Sequence, residues 1–349
     1  MIIRKVKLKL NRPQEIKLNS WLVNLTSVYN WGLRKIELNA KDKIYFGKMD
    51  FQNLLADHGN KLDIPSHTIQ GTLLQVYNAW VRCFKRLAKR PRLKGIKNRL
   101  NSIPFPDPLN TPKKGRLSIP GLGKVRFHKQ ELPDAKIKCS RIVKRASGWY
   151  LCLWLDTEYK FDVVETDKSI GIDPGFDTLL TLSDGTKIEN PRELRKGAKR
   201  LAQAQRGKNK KLTARLHERQ VNRRNDRNHK ISRCLVENNK TICYSDDNFK
   251  SMARRFGKSV SEAALGNLTS MIDYKSRIGG REVIKVDSRN TTKTCSTCGA
   301  LTGPTGLGEL AVRHWKCSAC GAVHDRDINS AIVVLNVGLG TSHELAVAI

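Results

Sequence analysis

The sequence contains no run of 18 apolar residues and no lipidation motif, and it has few acids for its size. The first absence leaves no candidate for a membrane-spanning helix, and the second leaves no lipid anchor. The opening residues, MIIRKVKLKL, alternate apolar residues with lysine too early for a signal peptide, so a reduced cytoplasmic setting is expected. Only 32 Asp and Glu oppose 65 Lys and Arg, a formal net charge of +33 over 349 residues. Such an excess points to a polyanion, and with membranes set aside the partner is nucleic acid. Neutralising phosphates carries no base information, so specificity must come from elsewhere. There is no long internal repeat, and 349 residues with 39% hydrophobic content suffice for two or more packed domains.

Five of the nine cysteines, Cys83, Cys139, Cys152, Cys234 and Cys243, stand alone and read as buried or half-buried thiols. The other four form Cys295-x-x-Cys298 and Cys317-x-x-Cys320, each pair followed by glycine, Gly299 and Gly321. Two such knuckles aim four thiolates at one point, as in a closed structural zinc site with no coordination position left for catalysis. Arg313, His314, Trp315 and Lys316 precede the second knuckle, where they could pack the ribbon or touch nucleic acid. Four sulfurs suffice, so His314 is not expected as a ligand.

Along the chain, residues 2–10 alternate as a half-buried strand. A helical pattern opens at Pro13 and runs through Leu18, Leu22, Leu25 and Tyr29, and residues 66–87 form a second amphipathic pattern. The basic stretch 89–99 contains Pro91 and Gly95 and reads as a loop. Residues 117–157 look β-rich, and the N-terminal strand, which lacks local partners, is assigned to their sheet. From residue 168 come three antiparallel strands with DPG and SDG turns, then a cationic helical hairpin over 191–236 broken near Gly207. A buried strand at 242–244, a helix over 259–275, a strand at 281–286 and a helix over 325–338 ending at Gly338 complete the reading.

This order, a meander followed by helix, strand and late helix, is that of an RNase H-like fold. It would bring together Asp173 after the first strand, Asp246 and Asp247 after a later one, and Asp325 and Asp327 at the start of the last helix. Each acid has a plain local explanation, as turn former, loop residue or helix cap. Together they could hold two Mg²⁺ ions about 4 Å apart for phosphodiester cleavage.

The segments VYNWGL (28–33), GIDPG (171–175), TICYSDDNFKSM (241–252), TTKTCSTCGA (291–300), HWKCSACG (314–321) and HDRDINSA (324–331) resemble the TnpB family. These are RNA-guided nucleases of bacterial and archaeal insertion sequences, related to type V CRISPR effectors. The resemblance spans essentially the whole chain, and the zinc ribbon followed by DRDxNxA is its most specific part. It implies an α+β multidomain protein: a wedge-like N-terminal β-barrel (1–12 and 100–165) interrupted by a helical recognition insert (13–99), then a RuvC-like nuclease domain (166–290 and 324–349) carrying a zinc ribbon (291–323). It also implies a guide RNA, a double-stranded DNA target beside a short flanking motif, structural zinc, catalytic Mg²⁺ and a nucleoid-associated location. A monomer is favoured.

By this resemblance Asp173 matches the first catalytic acid and Asp327 the third, with Asp325 as an alternative. The second acid does not transfer: Ser245 stands where Glu is expected, and Ser288 stands at the other position where relatives carry Glu. Strand alternation puts Asp247 on the face of Ser245, which selects Asp247 as the second acid, with Asp246 and Glu262 as substitutes. Three functions follow: an RNA-guided DNA endonuclease, a nuclease-inactive RNA-guided repressor, or a zinc-ribbon RNA-binding protein without a DNA target. A direct DNA transposase is disfavoured, because the family resemblance assigns strand transfer to a separate protein.

Overall fold

The alternation of IIRKVKLK forms β1 (Ile2–Lys9), with Val6 and Leu8 buried. Asn11 and Gln14 then make a reciprocal capping box, and Pro13 sits in the first turn of α1 (Arg12–Lys41). In the computed structural model, residues 1–110, 115–128, 130–158, 161–306, 308–309 and 311–341 are described. They fall into two units, 1–159 and 160–349. Among the described residues no helix is long and apolar enough to cross a membrane.

In the first unit, α1 is followed by the short helices α2 (Lys48–Asn53) and α3 (Gly59–Leu62) and by α4 (Ser66–Phe84). The strands β2 (Ser102–Phe105), β3 (Arg116–Ile119), β4 (Gly123–Phe127), β5 (Ile137–Arg145) and β6 (Gly148–Leu155) come next. The sheet order is β2-β5-β6-β1-β4-β3, so β1 lies in the middle, pairing Val6 with Leu151 and Leu8 with Phe127. The β-barrel expected from the sequence is corrected to a half-barrel, since its edge strands β2 and β3 do not pair with each other. Helices and sheet share one core in which Leu18, Trp21, Leu25, Leu73, Ile103 and Leu151 are fully enclosed. Each such side chain contributes about 1.5–3 kcal/mol on burial, so the helical segment is welded to the sheet within this unit.

The second unit begins with the meander β7 (Ser169–Pro174), β8 (Thr178–Leu182) and β9 (Lys187–Glu189). The cationic stretch forms α5 (Glu193–Lys196), α6 (Ala198–Arg206) and α7 (Lys210–Asn238), with the expected break at Gly207. Strand β10 (Thr241–Ser245) is buried throughout. The single helix expected over 259–275 is instead two, α8 (Phe249–Ala263) and α9 (Leu265–Gly279), because Ala264 takes a left-handed conformation at φ 53°. Arg227 Nη2 donates to the Ala263 carbonyl at 2.6 Å, and Arg224 donates to that of Ser261. Cations of α7 thereby satisfy carbonyls at the end of α8, where the helix dipole favours positive charge.

Strand β11 (Glu282–Val286), the ribbon pair β12 (His314–Lys316) and β13 (Val323–Asp325), and α10 (Arg326–Leu339) follow. The five-stranded order is β11-β10-β7-β8-β9, with β10 parallel to both β7 and β11. Parallel pairing brings the carboxyl ends of β7 and β10 to the same edge, where open α/β sheets place their ligands. Helix α10 crosses these strands at minimal separation: a Cβ on Gly171 would run into the Ala331 carbonyl and lie 2.8 Å from Leu335 Cβ. Gly338 does not end the helix as expected; it lies on Cys243, where a Cβ would meet Sγ at 2.5 Å, and the left-handed cap is Gly340. Of the lone cysteines, Cys243 is buried and its thiol is pushed up to about 11 by burial, whereas Cys234 on α7 is exposed rather than half-buried.

Gly171→Ala is expected to push α10 off β7, destabilising the protein by about 1–3 kcal/mol and displacing Asp327. A thermal midpoint equal to the unsubstituted protein would contradict this packing.

Candidate active site and metal centre

Asp173 closes the sequence GID at the end of β7, Asp247 lies two residues beyond β10, and Asp327 lies in the first turn of α10. The structure brings these three together: both Asp247 and Asp327 act electrostatically on Asp173. Asp173 is half-buried, and its carboxyl is pushed up to about 8, first by desolvation, then by the charges of Asp327 and Asp247. The nearby Ser330 hydroxyl and Arg326 guanidinium oppose that rise. Ser330 is fully buried, and beyond its approach to Asp173 its hydroxyl has no partner among the described residues.

Asp247 is half-buried, and burial raises its carboxyl as well. Ser245 Oγ donates to Asp247 Oδ2 at 2.9 Å, and the Ser288 side chain approaches closely enough to favour the carboxylate as well. Asp246 is exposed and does not act on Asp173, so the outward turn separates the two neighbouring acids. Asp325 is the N-cap of α10, accepting from the N–H groups of Asp327 (3.0 Å) and Ile328 (3.1 Å), and Lys187 Nζ reaches its Oδ2 at 2.7 Å. Burial raises the Asp325 carboxyl, but Lys187 and the cap bonds outweigh it and hold the group low. Glu262 is 2% exposed and is committed to Arg195, at 3.1 Å from Nε and from the backbone N–H. Asp325 and Glu262 each therefore pair with a cation in this arrangement. Asp327 faces Arg313, whose Nη1 is 3.3 Å from Oδ2.

The four ribbon cysteines form a tighter group, with their sulfurs all within 4.8 Å of one another. The Cys295–Cys320 and Cys298–Cys317 sulfur separations are both 3.7 Å. Zn–S bonds of about 2.3 Å place tetrahedral sulfurs about 3.8 Å apart, so the cluster fits zinc. The two knuckles repeat one hydrogen-bond pattern: Cys295 N–H donates to Ala300 O and Gly299 N–H to Cys295 O, matched by Cys317 to Ala322 and Gly321 to Cys317. Gly299 and Gly321 take φ of 78° and 76°, which favours glycine. The Thr302 hydroxyl, 3.1 Å from Cys317 Sγ, heads the donors that pull that thiol down to about 6, toward the thiolate that zinc requires. His314 is exposed on β12 and is not part of the cluster, while Trp315 packs on Cys295 and Cys317.

The acids are spaced more loosely, since among the described residues only the cysteines bring three or more candidate ligand atoms within 4.8 Å. Their chemistry still suits a hard divalent cation: the donors are all oxygen, and a cation would relieve their repulsion. Asn329, the Asn of DRDxNxA, to which the sequence assigned no role, ties the two centres together. Its Oδ1 accepts from Ser296 N–H (2.9 Å) and its Nδ2 donates to Thr294 O (2.8 Å), fastening the first knuckle to α10. The helical spacing of DRDINSA carried the signal, because Ser330 lies one turn from Asp327 and Asn329 one turn from Asp325.

A sequence model described as "Probable transposase" matches residues 155–255, and one described as "Cas12f1-like, TNB domain" matches residues 266–334. A protein of Streptomyces pristinaespiralis named "Putative RNA-guided DNA endonuclease" is 32% identical over 300 residues, 80% of this chain and 73% of that relative. The chain belongs to the TnpB family. InsQ of Escherichia coli (strain K12), named in the same way, is 25% identical over 372 residues, 96% of this chain and 91% of InsQ. The Cas12f1 chain in a cryo-EM structure of a Cas12f1-sgRNA-target DNA complex aligns at 20% identity and a TM-score of 0.38, over 96% of this chain and 99% of that one. On this TnpB-family chain, the first matched segment holds Asp173 and Asp247, and the second holds the four cysteines and Asp327.

A Cys295→Ser plus Cys317→Ser variant is expected to lose its bound zinc and the protease resistance of residues 291–323. Unchanged proteolysis after metal removal would exclude a structural zinc role.

Proposed function

We propose that this TnpB-family protein is an RNA-guided, Mg²⁺-dependent DNA endonuclease that cuts a guide-matched double-stranded target beside a short flanking motif. The observation that carries the reading is the meeting of Asp173, Asp247 and Asp327, contributed by two parallel strand ends and a helix start. Relatives named RNA-guided DNA endonuclease support the substrate and the guide. The strand order, a meander joined to parallel strands and covered by a late helix, supports an RNase H-like, RuvC-type domain over 166–290 and 324–349, of which residues 342–349 lie outside the described residues. Residues 291–323 would be its ribbon, 1–12 and 100–165 the wedge, and 13–99 the recognition insert.

Bound Mg²⁺ would supply a Lewis acid and a water of lowered pKa. Asp173, Asp247 and Asp327 would hold it, with Arg313 giving up its contact to Asp327. The cationic surface, net +33, would neutralise phosphates of guide and target, leaving sequence to be read by base pairing. Zinc held by the four cysteines would fix the ribbon, and a monomer would suffice. Acids gathered within so basic a chain count against an RNA-binding module without a DNA target, which gains nothing from carboxylates facing a polyanion.

The rival reading, a guide-directed repressor that binds DNA without cutting it, draws on Ser245 and Ser288 standing where the resemblance leads one to look for Glu. Plasmid cleavage with Mg²⁺, cognate guide RNA and a randomised flanking sequence separates the two. Cutting is expected, and Asp173→Ala or Asp247→Ala should each reduce it by about 100-fold or more without loss of RNA binding. Specific binding without nicking at any Mg²⁺ concentration would assign the repressor function instead.

A further inference from the structure

Strand register and hydrogen bonding single out two serines beside Asp247. Ser245 is the last residue of β10, is 1% exposed, and donates its hydroxyl to Asp247 Oδ2 at 2.9 Å. On the neighbouring parallel strand, the register pairs Thr241 with Glu282 and Ser245 with Val286. The Asp246 N–H bond to Val286 O, at 2.8 Å, carries that pairing past the end of β10. The same offset continued for two residues sets Ser288 opposite Asp247, where its side chain favours the carboxylate. One acid is thus gripped by hydroxyls from two adjacent strand ends.

A local structural role does not explain the grip. The α8 cap is Asn248, whose Oδ1 accepts from Ser251 N–H at 3.0 Å, so the Asp247 carboxylate is not needed there. Among the described residues no cation pairs with Asp247, although lysine and arginine outnumber acids by 65 to 32. The neutral donors orient the carboxylate without neutralising it, which is what a group awaiting a cation requires. Nearby a third hydroxyl, that of fully buried Ser330, approaches Asp173 and has no other partner among the described residues.

We propose that Ser245 and Ser288 are positioning residues that hold Asp247 toward Asp173, so that an aspartate reached from the strand end serves as the site's second metal-binding acid. The proposal rests on the metal-dependent nuclease reading above. Without its hydroxyl partners, the short Asp247 side chain can rotate toward solvent beside exposed Asp246, and the pocket loses one charge.

Mn²⁺ binding by the full-length, zinc-loaded protein, followed by electron paramagnetic resonance, tests this without relying on cleavage. The panel comprises the unsubstituted protein, Ser245→Ala, Ser288→Ala, the double variant, Ser288→Thr and Asp173→Ala. The Mn²⁺ dissociation constant should rise about 10-fold to 100-fold in the double variant, less in each single variant, and return to the unsubstituted value in Ser288→Thr. Guide RNA affinity should not move, and cleavage by the double variant should recover at high Mn²⁺, a split a merely destabilised protein would not show. Ser288 is half-buried, so its variants report even if Ser245→Ala fails to fold. Unsubstituted-like Mn²⁺ binding by the serine variants, with binding lost in Asp173→Ala, would overturn the positioning role and leave the nuclease reading standing. Unsubstituted-like binding by Asp173→Ala as well would overturn both.

Discussion

Helix α10 rests on β7 where Gly171 offers no side chain, and this one contact determines where Asp327 meets Asp173. The helix start and the strand end are each ordinary, but the close approach turns them into neighbours whose charges act on each other. Asp247 arrives through the parallel pairing of β10 with β7. The site is therefore a product of backbone proximity, and its cost appears at Asp173, whose carboxyl is pushed up to about 8 first by desolvation and then by the neighbouring carboxylates. Active sites commonly carry such strain because the ligand relieves it.

The same helix links the acids to the ribbon. Asp325 caps α10 and is anchored to β9 through Lys187, while Asn329 grips the backbone on both sides of Cys295. Arg313, from the ribbon segment, reaches both Asp327 and Asp177. Zinc bound by the four cysteines would thus stabilise more than its own knuckles, since the loop it would close is fastened to the first turns of the helix that bears Asp327.

Much of this was legible in the sequence because it follows from local chemistry. The paired Cys-x-x-Cys spacing, the meander turns and the break at Gly207 need only short-range rules, and alternation along 245–247 separated Asp247 from Asp246. What was not legible depends on tertiary contacts. The half-barrel could not be told from a barrel by strand pattern, because closure depends on edge pairing. The break at Ala264 was hidden, since a left-handed alanine has no composition signature and is supported here by α7 residues binding the adjoining carbonyls. Gly338 looked like a helix stop but is a packing site, and Glu262 looked available until Arg195 claimed it. The basic residues of α7 likewise divide between holding α8 and facing outward, a division that charge counting cannot make.

The central claim, that Asp173, Asp247 and Asp327 form one electrostatic unit awaiting a divalent cation, is tested most directly by proton release. Calorimetric titration of Mn²⁺ into the zinc-loaded protein at pH 7, repeated in buffers of different ionisation enthalpy, counts the protons expelled on binding. With Asp173 pushed up to about 8, binding should release about one proton per site, and Asp173→Asn should abolish that release. Binding that expels no proton, or the same release from Asp173→Asn, would contradict the account.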